Sequence, residues 1–215
     1  SERLRLAKHA GMQVMELYRK NIRPLDIMTE KAFHNALTVD MALGCSTNSM
    51  LHLPAIAHEF GIEIDADTFE RIHKSAHYLL DVRPAGRWPS EYVYYAGGVP
   101  AIMEEVRHLL HLDVMTVTGK TLGENLDGLK AGGYYEKCAE YLKKTGVKKE
   151  DIIRPFDAPI GDKGTIAILR GNLAPEGAVV KHSAVPVEMH KALLRARPFD
   201  CEEDAIAAVI AHDIK

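Results

Sequence analysis

The stretch that most constrains this chain covers residues 40–52, where two apolar, helix-like segments meet at a small-residue break after Gly44. The second segment opens on Ser46-Thr47-Asn48, three residue types that commonly cap helices. A helix start leaves backbone N–H groups without intrahelical acceptors and carries a partial positive charge. The three side chains can therefore cap the helix or, with those N–H groups, form a pocket for a carboxylate or phosphate. The local sequence leaves both interpretations open.

Apolar residues at helical spacing predict helices over residues 3–19, about 30–43 and about 47–60, and another after Asp65 or Asp67. Thr29 predicts an N-cap and Gly61 a C-cap. The face of the second helix that carries Phe33, Ala36, Leu37 and Met41 is predicted to point inwards. The helix over 47–60 is apolar nearly all round, so we expect it to be buried.

The next part of the chain alternates loops with short elements. Residues 81–89 predict a loop anchored to the core by Trp88, and Pro100 could be the first residue of a helix. Residues 112–117 predict a short strand that runs into Thr118-Gly119-Lys120-Thr121. This sequence lacks the first glycine of a nucleotide-binding phosphate loop, so we predict a helix that starts at Thr121. The polar, lysine-rich residues 131–150 predict a peripheral helix.

The sequence pattern changes near Pro155, where we place a domain boundary. Residues 164–169 and 177–181 predict strands that are joined by turn-forming residues. A helix near 187–194 and a strand near 197–199 are predicted next, and Asp200 or Cys201 should open a final helix.

Composition excludes several classes of protein. A net charge of −3 without a basic cluster argues against a nucleic-acid surface, and no apolar run approaches the length of a membrane span. The cysteines Cys45, Cys138 and Cys201 are three in number and far apart, which predicts neither a disulfide framework nor a local zinc site. His52 and His58 do not share a helix face, so we interpret them as packing or surface residues. We expect a cytoplasmic protein.

Four segments of the sequence together resemble the dihydroxy-acid dehydratase and phosphogluconate dehydratase family. They are DMALGCSTN at residues 40–48, AGGVP at 96–100, TVTGKTLGENL at 116–126 and LRGNLAPEGAVVK at 169–181. The resemblance covers essentially all 215 residues. One departure is Cys45, where the family usually has a second glycine. Because a cysteine rarely adopts a positive φ, this departure puts in doubt any need for a positive φ at that position.

The resemblance implies an α/β fold, with residues 1–154 as the C-terminal part of the family's N-terminal α/β domain. Residues 155–215 would begin a β-rich, barrel-like C-terminal domain. It also implies a homodimer, with much of its interface in the helical region, and a small dihydroxy acid as substrate. The chain is interpreted as an internal fragment of a longer enzyme, because Ser1 falls directly into a helical pattern.

The family removes water from a 2,3-dihydroxy carboxylate and gives a 2-oxo acid, using an iron–sulfur cluster, Mg²⁺ and a serine base. The resemblance favours conversion of 2,3-dihydroxy-3-methylbutanoate to 3-methyl-2-oxobutanoate in the synthesis of branched-chain amino acids. The family's CDKxxP and DGRxSG motifs do not occur here, so we expect no catalytic and no metal-binding residue in this chain, and no activity from it alone. The candidate substrate-binding residues are Ser46, Thr47, Asn48 and Lys120.

Two alternatives stay open. Within the family, a sugar-acid dehydratase such as phosphogluconate dehydratase has the same motifs. From a different class, a non-catalytic scaffold or interaction domain would explain the missing catalytic motifs if the protein were only 215 residues long.

Overall fold

The structure is a computed structural model, and it describes residues 2–214. Eleven α-helices are found among these residues: α1 Glu2–Arg19, α2 Pro24–Ile27, α3 Glu30–Leu43, α4 Ser49–Glu59, α5 Ala66–Ser75, α6 Glu91–Tyr95, α7 Gly98–Glu105, α8 Leu122–Ala131, α9 Tyr134–Lys143, α10 Lys149–Ile152 and α11 Glu202–Ile210. The strands are β1 Ile166–Gly171 and β2 Ala174–Lys181. Contacts divide the chain into one unit up to Ala184 and a second from Val185.

Helix α3 is the centre of the first unit, because its buried residues enter two apolar clusters. Val39 and Ala42 belong to a cluster with the buried α7 residue Ile102. Leu37 and Met41 belong to another, with α5 and β1. The predicted inner face is confirmed at three of its four positions, since Ala36 is exposed.

The helix ends follow the sequence signals. The Thr29 hydroxyl accepts a hydrogen bond from the Ala32 N–H, and the Asp65 carboxylate accepts one from the Thr68 N–H. Thr121 and Glu124 form a capping box at the start of α8. Gly61 has a φ of +70° after α4, which confirms its place at the helix end.

The two strands form an antiparallel hairpin with Ile166 opposite Lys181. Strand β1 packs against α5, and Ile166 and Ile168 join the apolar cluster that contains Phe69 and Ile72. The two predicted strands are therefore confirmed, but they belong to the same unit as helices α1 to α10. Residues 2–214 show a small sheet with helices, an α/β arrangement, and no barrel. The boundary near residue 155 stays a prediction.

Some predicted elements are wrong. Residues 112–117 form turns with a single bridge, Met115 to Thr121, because no second strand lies beside them. Helix α7 begins at Gly98, so Pro100 is its third residue rather than its first. Trp88 does contact the core as predicted, and its indole Nε1 donates to the Asp151 carbonyl over 2.9 Å.

Helix α4 is the largest departure from expectation. Only Ala57 is buried in it, and the Leu51 side chain is 69% exposed. The apolar face of α1 is likewise exposed, including Leu4 and Tyr18. Both helices form where they were predicted. In α4, Met50 and Leu53 pack against the cluster that contains Leu37 and Met41, while Leu51 and Ile56 stay exposed.

The second unit contains α11, which begins after Cys201 as predicted. The helix predicted near 187–194 is wrong, since only a short 3-10 turn at Val187–Met189 forms there. The strand predicted near 197–199 is also wrong. No helix among residues 2–214 is both long and apolar enough to cross a membrane.

Candidate functional site

The candidate site is the turn between α3 and α4, residues 40–49, which we call the α3–α4 turn. Gly44 ends α3 with a φ of +76°, and its N–H donates to the Asp40 carbonyl over 3.1 Å. A Cβ atom at Gly44 would lie 3.1 Å from the Tyr78 ring and 3.4 Å from the Thr165 methyl group. Glycine is thus required both by the left-handed backbone and by the close neighbours. Cys45 does not have a positive φ, so the family's second glycine is not needed here.

Two later segments fix the end of α3. The carbonyls of a helix's last turn have no intrahelical partner. The Met41 carbonyl accepts from the Thr165 N–H and hydroxyl, at 3.2 and 3.1 Å. The Ala42 carbonyl accepts from the Leu79 N–H at 3.0 Å. These bonds hold the start of the turn against buried backbone.

Asp40 is the buried acid of the turn, with 5% of its surface exposed. The Ser49 hydroxyl lies 2.9 Å from its carboxylate and donates to it. Burial raises the pKa of Asp40, while the hydrogen bonds from Ser49 and Cys45 and the charge of Lys181 oppose that rise. The carboxyl is therefore desolvated but supplied with donors, as a buried acid requires.

Cys45 lies beside this carboxylate and is partly buried. Burial raises the pKa of its thiol to about 12, and the negative charge and hydrogen bond of Asp40 add to the rise. The Cys45 thiol is consequently protonated at neutral pH and acts as a donor to Asp40 rather than as a nucleophile.

Lys181 reaches the turn from the end of β2. Its Nζ donates to the Gly44 carbonyl over 2.9 Å, across 137 positions of sequence. The hairpin register places it there, because Lys181 pairs with Ile166, the residue after Thr165. Strand β2 thus brings a cation to the α3–α4 turn.

Ser46, Thr47 and Asn48 are all exposed on the outer side of the turn. The Ser46 hydroxyl accepts from the Asn48 N–H at 3.2 Å, and Asn48 is the N-cap of α4 without a side-chain cap bond. The next N–H groups donate to the carbonyls of Ser46 and Thr47. Since these first N–H groups already have acceptors, any ligand here must be bound mainly by side chains.

Lys120 lies on a different loop, before α8, and is exposed. Its backbone joins a network in which the Thr116 hydroxyl and the Thr118 hydroxyl bond to the Asn125 amide, at 2.7 and 2.8 Å. The structure thus places Ser46, Thr47 and Asn48 together, with Lys181 bonded to the same turn, and leaves Lys120 in a separate network.

Sequence reasoning gave no role to Asp40, Ser49 or Lys181. A signal existed for Asp40, because it follows Leu37 by three positions and so shares the buried side of α3. An acid at such a position implies a nearby donor. Lys181 had no local signal, since only the hairpin register brings it to the turn.

The remaining cysteines lie elsewhere, Cys138 buried in α9 and Cys201 exposed before α11. Within residues 2–214 no group of three or more His, Cys, Asp or Glu side chains could hold a metal ion. Asp40 and Cys45 are the two such residues of the turn, and they interact with each other. This donor set does not fit a complete metal or cluster site.

Comparison with known proteins extends over the whole chain. Residues 1–125 match the family described as dihydroxy-acid/6-phosphogluconate dehydratase N-terminal, and residues 151–215 match the corresponding C-terminal family. A protein of Lachnoclostridium phytofermentans named dihydroxy-acid dehydratase is 52% identical over 97% of this chain and 35% of its own length.

Other relatives of the same name agree. The Clostridium kluyveri protein is 51% identical over 97% of this chain and 35% of its own length. The Nitratidesulfovibrio vulgaris protein is 49% identical over 99% of this chain and 36% of its own length. The chain thus spans about a third of the length of these relatives.

Proposed function

Because this chain belongs to the dihydroxy-acid/6-phosphogluconate dehydratase family, we propose that the whole protein removes water from a 2,3-dihydroxy carboxylate. The proposed substrate is 2,3-dihydroxy-3-methylbutanoate, and the product is 3-methyl-2-oxobutanoate, an intermediate of branched-chain amino-acid synthesis. The observation that carries this proposal is identity of about 50% over nearly the entire chain to proteins named dihydroxy-acid dehydratase.

The proposed reaction removes a proton from C2 and the hydroxyl from C3, which leave together as one water molecule. The enol that remains takes up a proton at C3 and becomes the 2-oxo acid. No atom of this chain is assigned as the base, because the serine motif that the family uses is absent from the sequence.

In this scheme the α3–α4 turn binds the substrate. Asp40, Ser49 and Lys181 hold the turn from within, and Thr47 and Asn48 point outwards without a described side-chain hydrogen bond. Hydroxyl and amide groups at such positions suit a polyhydroxylated acid, since each can donate and accept. Lys120 is retained as a weaker candidate, because its ammonium is exposed but lies on another loop.

The family resemblance implies an iron–sulfur cluster and Mg²⁺. The described residues offer only Asp40 and Cys45 at the turn, and no group of three donors. We therefore propose that the ligands of both cofactors lie outside this chain, and we assign to its residues only binding and positioning.

We propose that the enzyme is cytoplasmic and that the β1–β2 hairpin begins a barrel-like domain.

We also propose that the enzyme is a homodimer. The exposed apolar side of α4, with Leu51 and Ile56, supports an interface in the helical region. Sedimentation of the full-length Leu51→Glu variant tests the dimer: a shift towards monomer supports an α4 interface, and an unchanged dimer places the interface elsewhere.

The activity is tested with the purified full-length protein, its cofactors reconstituted without oxygen. Equal concentrations of 2,3-dihydroxy-3-methylbutanoate and 6-phosphogluconate are compared by the 2-oxo acid that each yields. We expect faster turnover of the branched substrate. If only 6-phosphogluconate is turned over, the proposed substrate is wrong and 6-phosphogluconate takes its place. If neither compound is turned over, the proposed dehydratase activity is wrong.

A further inference from the structure

A concavity separate from the α3–α4 turn lies where α6, α7, α8 and α9 meet. Its volume is about 330 Å³, within the range of small-molecule sites. Its floor is apolar and buried, formed by Ala96, Ala101 and Leu142. It shares no lining residue with the α3–α4 turn.

The Tyr135 hydroxyl lies in the wall of this concavity and is buried without a hydrogen-bond partner among the described residues. Buried polar groups in native proteins nearly always have a partner, so this hydroxyl requires one. Burial raises the pKa of Tyr135 to about 12, and the nearby Glu104 carboxylate adds to the rise. The hydroxyl is therefore neutral, and it can donate or accept a hydrogen bond.

Positively and negatively charged side chains border the apolar floor of the concavity. Glu104 pairs with Arg107, and Lys149 pairs with Glu105. Lys130 and Glu136 also line the concavity; both are exposed, and neither has an ion-pair partner among the side chains of residues 3–214. An unpaired cation and an unpaired anion thus border one apolar depression.

We propose that this concavity binds a free α-amino acid with an aliphatic side chain. Lys130 pairs with the ligand's carboxylate, Glu136 and the Tyr135 oxygen accept from its ammonium group, and the side chain packs on the alanine-lined floor. A plain carboxylate would leave Glu136 unpaired, and a plain amine would leave Lys130 unpaired. A phosphate would meet a single unpaired cation.

The first test is calorimetric titration of the full-length protein with three probes. They are L-leucine, 4-methylpentanoate, which lacks the ammonium group, and 3-methylbutylamine, which lacks the carboxylate. Saturating 3-methyl-2-oxobutanoate is present to occupy the proposed active site. We expect L-leucine to bind at least about tenfold more tightly than either analogue. No binding, or equal binding of the three, overturns the proposal.

The second test locates the binding by substitution. Lys130→Met and Tyr135→Phe should each weaken L-leucine binding at least about tenfold, while Lys144→Met and Tyr141→Phe, which alter residues outside the concavity, should not. Tyr135→Phe should also melt no earlier than wild type, because it removes an unpaired buried hydroxyl. Ala139→Phe, at an exposed position of the lining, should block binding without unfolding the protein. Wild-type affinity in Lys130→Met and Ala139→Phe would place the amino acid elsewhere and overturn the proposal.

Discussion

The side chains of the α3–α4 turn divide into an inner bonded group and an outer group. Ser49 and Lys181 donate into the turn, to the Asp40 carboxylate and the Gly44 carbonyl. Thr47 and Asn48 face outwards, and Asn48 forms no side-chain cap bond. Since capping needs such a bond, these two residues are not explained by helix stability alone.

Thr47→Ala and Asn48→Ala in the full-length protein should therefore lower kcat/KM while leaving Tm nearly unchanged. The physical reason is that each loses a substrate contact and no described intramolecular hydrogen bond. Thr29→Ala is the matched control, because the Thr29 hydroxyl does cap α3. It should lower stability by about 0.5–2 kcal/mol and keep wild-type kcat/KM. Early melting with intact turnover in the Thr47 and Asn48 variants would refute the substrate contact.

Asp40→Asn should change how stability depends on pH. Burial raises the pKa of Asp40 above the value of about 3.9 in an unfolded chain, so the fold favours the protonated carboxyl. That contribution is fully present below the unfolded pKa and is lost as pH rises through the folded pKa. The Asn variant cannot ionise, so it should gain stability relative to wild type as the pH increases from about 4 towards neutrality.

Urea unfolding of both proteins across that pH range measures the difference. Asp65→Asn is the control, since hydrogen bonds from Thr68 lower the pKa of this exposed carboxyl and its pH dependence should have the opposite sign. A constant difference between Asp40→Asn and wild type would show that Asp40 has no shifted pKa in the fold.

Among the elements, the ends of helices are the best determined by sequence. Helix α4 ends in a Schellman arrangement, in which the Ile62 N–H donates to the Ala57 carbonyl and the Gly61 N–H to the His58 carbonyl. Gly61 is left-handed and has open space around its Cα. Gly128, in the middle of α8, also has open space but does not have a positive φ.

This pair gives opposite predictions for the same substitution. Gly61→Ala should destabilise the protein by about 1–2 kcal/mol, because an L-residue is strained in the left-handed region. Gly128→Ala should stabilise it by about 0.5–1 kcal/mol, because alanine favours a helix interior. Thermal unfolding of both variants tests the pair, and two shifts of the same sign would contradict the backbone argument.

The elements that could not be predicted lack a packing partner. The short apolar run over 112–117 has strand-like residues but no neighbouring strand to accept its hydrogen bonds. The segment 187–194 has helical spacing, yet Leu193 is fully exposed and Leu194 is 69% exposed. Short helices gain most of their stability from tertiary packing, so the pattern alone does not form one.

At the scale of the whole molecule, the sequence predicted the positions of the helices better than it predicted which of their faces are buried. The position of α4 was correct, but its full burial was not, because only part of its apolar surface packs on a core cluster and Leu51 and Ile56 stay exposed. The chain spans about a third of the length of the relatives that it matches. The α3–α4 turn was singled out by its small-residue break and capping residues, and the family resemblance then favoured a binding role. The inner bonds that hold the turn depend on contacts distant in sequence.

The 215-residue chain by itself should form no 2-oxo acid from 2,3-dihydroxy-3-methylbutanoate. Its described residues contain no group of three potential metal ligands, and its sequence lacks the family's serine-base motif. The assay follows anaerobic reconstitution with iron and sulfide, with the full-length protein as the positive control. Product above the no-protein background would show that the chain carries a catalytic centre of its own.

The hydrogen bond from Lys181 to the Gly44 carbonyl also bears on how the gene could be divided. The turn lies in the region that matches the N-terminal family, and Lys181 lies in the region that matches the C-terminal one. If the chain were divided within the exposed residues 144–146, one polypeptide would carry the Gly44 carbonyl and the other would carry Lys181. The α3–α4 turn would acquire its Lys181 bond only when the two pieces reassociate, so complementation between them would report directly on the integrity of the turn.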